Sequence, residues 1–375
     1  MYTENDLVRI AKRENNKKRN YLVVNPLQGK HVPVSPRKAL DVFSQLAGLL
    51  DVYRGERILI VGFAETATAI GAQAAVSLNA DYIQTTREDM GKAACFYFSE
   101  EHSHATEQKL VREDIDKIIG SIDRIVFAED EITTGKTILN IISVIEEYYQ
   151  RKYGNPWKMK FSVVSILNGM TEELLEAYQS RNIGVHYLVK TQHAKYPQMA
   201  DSAVNDGVYY DKNISEAEFY ACYEIEGAID SRRVTASADY LSACQKLYDE
   251  ITKCIPVSEY ESILILGTEE FMFPGLYVGK CLEDKGHFVR FHATTRSPIH
   301  VSRDETYPLH ERYALSSLYD KNRKTFVYDI ASYDAVIVMT DAQTVSAEGA
   351  CSLLNAVRKH NEKVYLVKWQ GHCAD

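Results

Sequence analysis

The chain has 375 residues, 45% hydrophobic and 25% charged, an ordinary composition for a globular protein, and at ~150 residues per domain its length predicts about two domains. A formal net charge of −9 argues against a nonspecific nucleic-acid binder, which presents a basic face. Residues 1–20 are charged and no apolar run approaches ~18 residues, so neither a signal peptide nor a membrane span is expected; the seven cysteines include no Cys-x-x-Cys pair, so free thiols in a reducing cytoplasm are expected rather than a zinc site or disulfide framework.

In chain order, Val23 to Pro36 reads as a short strand and a loop punctuated by proline and glycine. Ser35 as N-cap and Pro36 at the first helical position start a helix predicted over 36–51. A buried-type strand over 57–61 follows, then Gly62 and a small-residue helix ending near Ala75. Strands are predicted over 124–128, 160–167 and 185–189, with helices over 138–149 and 172–180 between them. That alternation means a parallel sheet covered on both faces.

A second series begins after Asp230, with small polar residues at 225–240 marking the boundary. It comprises a helix over 236–255, a strand over 262–266, a helix over 275–285 and strands over 288–292, 335–339 and 363–368, with a helix over 347–360 before the last. The two halves look duplicated. Arg57-Ile-Leu-Ile-Val-Gly62 leads to Thr85-Thr-Arg87, and Ser262-Ile-Leu-Ile-Leu-Gly267 leads to Thr294-Thr-Arg296. Ile125-Val-Phe-Ala-Glu-Asp130 is then echoed by Val336-Ile-Val-Met-Thr-Asp341.

The chemistry concentrates in Ile125-Val-Phe-Ala-Glu-Asp-Glu-Ile-Thr-Thr-Gly-Lys-Thr137. Two acids, Glu129 and Asp130, follow an apolar strand, and Thr133, Thr134, Gly135, Lys136 and Thr137 open the next helix. Unpaired N–H groups and the positive dipole end at a helix N-terminus suit a phosphate dianion. Gly135 admits close approach, the threonine hydroxyls donate further, and the carboxylates accept from vicinal hydroxyls. One site with an anionic end and a diol end describes ribose 5-phosphate. A Walker A loop is excluded, because Asp130 stands where that motif needs glycine.

Glu129-Asp-Glu-Ile-Thr-Thr-Gly-Lys-Thr137 resembles the phosphoribosyl diphosphate signature of type I phosphoribosyltransferases. By that resemblance Glu129 and Asp130 hold the ribose hydroxyls and Thr133 to Thr137 the 5′-phosphate. Purine-using members carry an aspartate that acts on the base where Thr133 stands here, a departure that argues against purine salvage. Asn25-Pro-Leu-Gln-Gly-Lys-His31, Gly62-Phe-Ala-Glu-Thr66, Thr85-Thr-Arg87, Glu101-His-Ser-His-Ala105 and Thr295-Arg-Ser-Pro298 extend the resemblance to the orotate-phosphoribosyltransferase-like family of tellurite-resistance and stress gene clusters, whose C-terminal domain takes its name, TRSP, from the last motif. The resemblance implies an α/β type I phosphoribosyltransferase-like domain over 1–230 and a second, Rossmann-like, TRSP-type α/β domain over 236–375. It also implies Mg²⁺ brought by the substrate, and a homodimer is a family-level expectation.

Other candidates have more than one reading each. Gly62, Phe63, Ala64 and Glu65 stand where relatives bind pyrophosphate; Glu65 either positions a metal or attacking amine, marks a different leaving group, or favours the helix dipole. Arg87, and more weakly Lys92, are candidate cations for the leaving oxygens or ordinary surface residues. His102 and His104 are read as substrate or acid–base contacts, with metal ligation or a structural role as alternatives; Lys30 and His31 either reach a phosphate or sit in a solvated turn. Glu269, Glu270, Thr295, Arg296 and Ser297 form either a second ligand pocket or an interdomain salt-bridge network. Ala342-Gln-Thr-Val-Ser346 cannot reproduce the Thr-Gly-x-Thr loop, so no second complete phosphoribosyl site is expected. The expected function is formation of an N-glycosidic bond from phosphoribosyl diphosphate and a base-like acceptor, against a non-catalytic sensor or an N-glycosidic bond-cleaving enzyme.

Overall fold

Every residue of the strand Ile58–Gly62 is buried, so its apolar run needs cover on both faces, and helices supply it. The computed structural model describes residues 2–14, 16, 19–98, 108–154 and 157–371. The first sheet runs Thr235–Ala236, Asp81–Gln84, Ile58–Gly62, Arg124–Ile132, Lys160–Asn168 and Gly184–Lys190, parallel except for the first strand. The second runs Ala221–Glu226, Val364–Gln370, Ala335–Thr340, Ser262–Gly267 and Phe288–Ala293, all parallel.

Counting along the chain from Ile58–Gly62 in one half and from Ser262–Gly267 in the other, the first strand lies between the second (Asp81–Gln84, Phe288–Ala293) and the third (Arg124–Ile132, Ala335–Thr340). The fourth (Lys160–Asn168, Val364–Gln370) lies beside the third. In each half an antiparallel hairpin lies between the second and third strands: Cys95–Phe98 with Gln108–Val111, and Glu311–Ser316 with Lys324–Tyr328. The Thr-Thr-Arg turns dock alike, Thr86 pairing with Lys109 and Thr295 with Phe326. The duplication expected from apolar runs and one tripeptide thus extends to topology.

The helices Pro36–Gly48, Thr68–Leu78, Ser237–Cys254 and Phe273–Asp284 pack on one another between the sheets. Strand alternation divides the side chains. Ile263 and Ile265 enter the core shared with the first half, while Leu264 and Leu266 face the outer core with Leu353, Leu354 and Val357. Ser35 caps the first of these helices, its Oγ accepting from the Lys38 N–H at 3.4 Å. Among the described residues no helix is long and apolar enough to cross a membrane.

Several elements differ from the sequence expectation. The strand expected over 124–128 runs through Ile132, because Glu129 and Glu131 still pair with Ser165 and Leu167. The helix expected to 51 ends at Gly48, and a separate turn covers Asp51–Tyr53. Asp81–Gln84 and both hairpins were not foreseen, since four- to six-residue strands carrying polar residues give little periodicity. Ala221–Glu226, which the sequence places before the boundary, is the edge strand of the second sheet, and Thr235–Ala236 extends the first.

Candidate functional site

At the carboxyl ends of the central strands of the first sheet lies a cavity of about 460 Å³, walled on its far side by Thr295, Arg296, Ser297 and Pro298 of the second half. Ile58–Gly62 stops opposite Ala128, so beyond Ala128 the third strand is paired on one side only. There Glu129, Asp130 and Glu131 turn to the cavity. Asp130 Oδ1 accepts from the Thr66 hydroxyl at 2.9 Å and Oδ2 from the Gln28 amide at 3.3 Å. Burial, and then neighbouring Glu131, push the Asp130 carboxyl above the usual aspartate range.

The anion end follows directly. Gly135 sits at φ 71 as the N-cap of the helix Lys136–Tyr153, so the chain breaks before the helix rather than running through it. Thr133 and Thr137 line the cavity. Thr134 Oγ1 instead accepts from the Lys136 N–H at 3.3 Å, and Lys136 is exposed. The Tyr178 hydroxyl donates to the Gly135 carbonyl at 2.6 Å and occupies the space a Cβ on Gly135 would need. Gly135→Ala is therefore expected to cost roughly 1–2 kcal/mol for the left-handed backbone alone, read as a lower urea midpoint. An unchanged midpoint would mean that this turn relaxes freely.

Opposite the acids, the loop after Gly62 brings in Ala64 and Glu65. The Ala64 N–H donates to Thr85 Oγ1 at 2.8 Å. The Glu65 carboxylate meets the Lys30 ammonium at 2.5 Å and the Arg296 guanidinium at 3.5 Å. Burial opposes its ionisation, but Lys30 and then Arg296 outweigh that and hold its pKa down to about 2. Lys30 is 0% exposed and also donates to the Glu269 carbonyl at 2.5 Å. Burial pulls its ammonium below the usual lysine range while Glu65 pulls it back. Lys30 thus faces neither solvent nor the cavity, and its place is that of a counter-ion to Glu65.

His31 does line the cavity. It is 3% exposed, and neither ring nitrogen has a hydrogen-bond partner. Burial, then the Lys30 charge, lower its pKa to about 3, so the ring is neutral and offers one donor and one acceptor. A solvated turn does not describe it, nor does a phosphate-binding cation. Gly29, at φ 81, has Phe291 and Val34 where a side chain would go, and this seats the Lys30–His31 turn against the second half.

The remaining candidates divide clearly. Arg87 lines the cavity, whereas Lys92 is exposed in a turn away from it. Gly62 and Phe63 lie behind it, with Phe63 edge-on to Phe98 in the core. His102 and His104 fall outside the described residues. Glu269 and Glu270 are buried in the salt-bridge network: Arg296 reaches Glu269 at 2.6 Å, Glu270 at 3.4 Å and Glu88 at 2.5 Å. Thr295, Arg296 and Ser297, read from sequence as part of a second pocket, belong to the same cavity as Glu129 and Asp130.

Sequence reasoning read a short strand at Val23, within the observed Tyr21–Val24, but missed its antiparallel partner Arg9–Lys12; this hairpin brings Arg13, Arg19, Leu22 and Val23 to the cavity. Arg19 holds Glu131 at 2.6 Å and lies over the Tyr21 ring at 4.4 Å. The only available signal was the charge-rich stretch before Tyr21, which gives no direction in space.

A parallel sheet with an acid pair at one strand end and a glycine-broken Thr-Gly-x-Thr turn beside it defines a type I phosphoribosyltransferase-like protein. Residues 7–193 match the family model described as phosphoribosyl transferase, and residues 230–357 match the TRSP domain described as lying C-terminal to it. The chain belongs to this family of phosphoribosyl transferase domains followed by a TRSP domain. No curated protein matched. Among solved structures, adenine phosphoribosyltransferase from Rhodothermus marinus is 16% identical, with 50% of this chain and 96% of that one covered and a TM-score of 0.36. The Giardia lamblia enzyme complexed with 9-deazaadenine is 14% identical, with 50% and 96% covered and a TM-score of 0.35. The Trypanosoma brucei enzyme, in complex with AMP, pyrophosphate and ribose-5-phosphate, is 17% identical, with 49% and 76% covered and a TM-score of 0.33.

Proposed function

We propose that the chain binds phosphoribosyl diphosphate in the cavity and transfers its ribosyl 5-phosphate to a base-like acceptor, forming an N-glycosidic bond. The observation that carries the reading is the convergence, in one cavity, of the Glu129 and Asp130 carboxylates, hydroxyls at a helix N-terminus, and arginines from both halves. Glu129 and Asp130 accept from the ribose 2′- and 3′-hydroxyls, and Thr133 and Thr137 with the N-terminal amides of their helix hold the 5′-phosphate. That fixes C1 toward Glu65, Arg87 and Arg296.

As the acceptor nitrogen forms its bond to C1, the C1–O bond breaks and its electron pair leaves with diphosphate, while the displaced acceptor proton passes to solvent. Arg87 stands where negative charge grows on the leaving oxygens. Glu65 does not repel them outright, because Lys30 and Arg296 already balance its charge. The cavity-facing carboxylates are hard oxygen donors suited to the water shell of Mg²⁺, which when bound neutralises diphosphate charge. His31, neutral and without partners, suits an uncharged ring nitrogen or amide on the acceptor.

The full chain with phosphoribosyl diphosphate, Mg²⁺ and a panel of heterocyclic bases is expected to release pyrophosphate with at least one base. Binding without turnover for any base would identify a sensor instead. Release of base from nucleoside monophosphates without pyrophosphate would identify a cleaving enzyme.

A further inference from the structure

The equivalences between the halves are detailed enough to compare their pockets residue by residue. The Thr85 N–H donates to the Gly62 carbonyl at 2.9 Å, and the Thr294 N–H to the Gly267 carbonyl at 3.0 Å. Thr85 Oγ1 accepts from the Ala64 N–H, and Thr294 Oγ1 accepts from the Glu269 N–H at 3.0 Å. Glu65 therefore corresponds to Glu270, and Arg87 to Arg296. Each acid contacts the other half's Thr-Thr-Arg turn. Glu270 accepts from the Thr86 hydroxyl at 2.6 Å and the Arg87 N–H at 3.0 Å, and Glu65 faces Arg296.

Strand register places Gly62 beside Ala128 and Gly267 beside Met339, so Asp341 corresponds to Asp130. The two aspartates have different surroundings. Asp130 faces the cavity, whereas Asp341 is met by Arg232 at 2.5 Å and by the Tyr319 hydroxyl at 2.6 Å. Arg232 comes from the segment joining the halves, is 8% exposed, and also lies 3.4 Å from Glu270. Beside Asp341, at the position equivalent to the cavity beside Asp130, stand the chain's own guanidinium and phenol. After Asp341, Ser346 simply caps the helix Ala347–Val357 through the Gly349 N–H.

We propose that the TRSP half takes no phosphoribosyl ligand of its own and acts as a built-in partner that lends Arg296 to the first half's cavity, where its guanidinium contacts the diphosphate of the substrate across from Arg87. This rests on the phosphoribosyl reading above. Arg296 lines the cavity and shares Glu88 and Glu269 with Arg323, which reaches them at 2.6 and 2.8 Å. Arg323 contacts the same carboxylates but does not line the cavity, so it is a control for the network alone.

Titration calorimetry of the full chain with two probes tests this: Mg²⁺–phosphoribosyl diphosphate, and ribose 5-phosphate, which lacks the diphosphate. Arg296→Gln is expected to weaken phosphoribosyl diphosphate at least tenfold while changing ribose 5-phosphate less than twofold. Arg296→Lys should recover part of the loss, and serves as the reading if the glutamine variant does not fold. Arg323→Gln should leave both affinities within twofold, and wild type should bind one ligand per chain. Equal losses for both probes, no loss for either, a matching loss in Arg323→Gln, or two sites per chain would overturn the proposal. Wild type that binds neither probe would instead remove the phosphoribosyl reading on which it rests.

Discussion

Lys30→Met is expected to lower the unfolding free energy by about 3–5 kcal/mol, because it leaves the Glu65 carboxylate buried without its nearest cation. The two groups meet at 2.5 Å with side-chain exposures of 0% and 7%, and the Glu269 carbonyl loses its donor as well. Arg296, 3.5 Å from Glu65 and shared with three other carboxylates, compensates only in part. Adding Glu65→Leu should restore most of the loss, since a buried ion pair and an apolar pair of similar volume are close in stability.

The pH dependence carries the same sign. Glu65 is held at about 2 in the fold, against ~4.3 for an ordinary glutamate, so its contribution is fully present above that value and disappears as pH falls through the folded one. Between those limits wild type should lose stability more steeply than the double variant. Urea unfolding at a series of pH values reads both effects. A loss under 1 kcal/mol in Lys30→Met would show that the ammonium is not the counter-ion the geometry indicates.

How much of this was legible beforehand depended on whether the physics was local. Glu129 to Thr137 could be read because the strand end, the glycine break and the helix start are consecutive. The repeated Thr-Thr-Arg was visible too, but its meaning was not. Nothing near Arg296 says that packing of four helices between two sheets brings it to Glu65. The sequence left a second pocket and an interdomain salt-bridge network open for that motif; the structure has the network, and the tertiary arrangement also brings Arg296 to the first half's cavity. Lys30 and His31 are adjacent in sequence with opposite fates, one buried against a carboxylate and one neutral on the cavity wall, a difference that alternation about Gly29 does not announce. Arg13 and Arg19 were unreadable for a different reason. Their hairpin is four residues a side, and Arg13 is placed by pairing with Ile299 far along the chain.

Asp130→Asn should separate stability from function. Burial and Glu131 raise this carboxyl's pKa, so its ionisation opposes folding: stability falls as pH rises from the unfolded aspartate value, ~3.9, through the folded one. Removing the charge is therefore expected to leave stability at neutral pH equal or higher, even though one of the two acceptors serving Thr66 and Gln28 is lost. Binding should move the other way. A carboxylate accepting from a diol contributes about 1.5–3 kcal/mol, so ribose 5-phosphate affinity is expected to drop by up to roughly a hundredfold, about 2.7 kcal/mol. The deficit should shrink as pH is lowered, because wild-type Asp130 then protonates and loses the same interaction. Calorimetry across pH and urea unfolding at neutral pH measure the two quantities on one pair of proteins. A variant that is destabilised by more than 1 kcal/mol yet binds like wild type would make Asp130 a scaffold residue held by Thr66 and Gln28, and the diol would have to be gripped elsewhere.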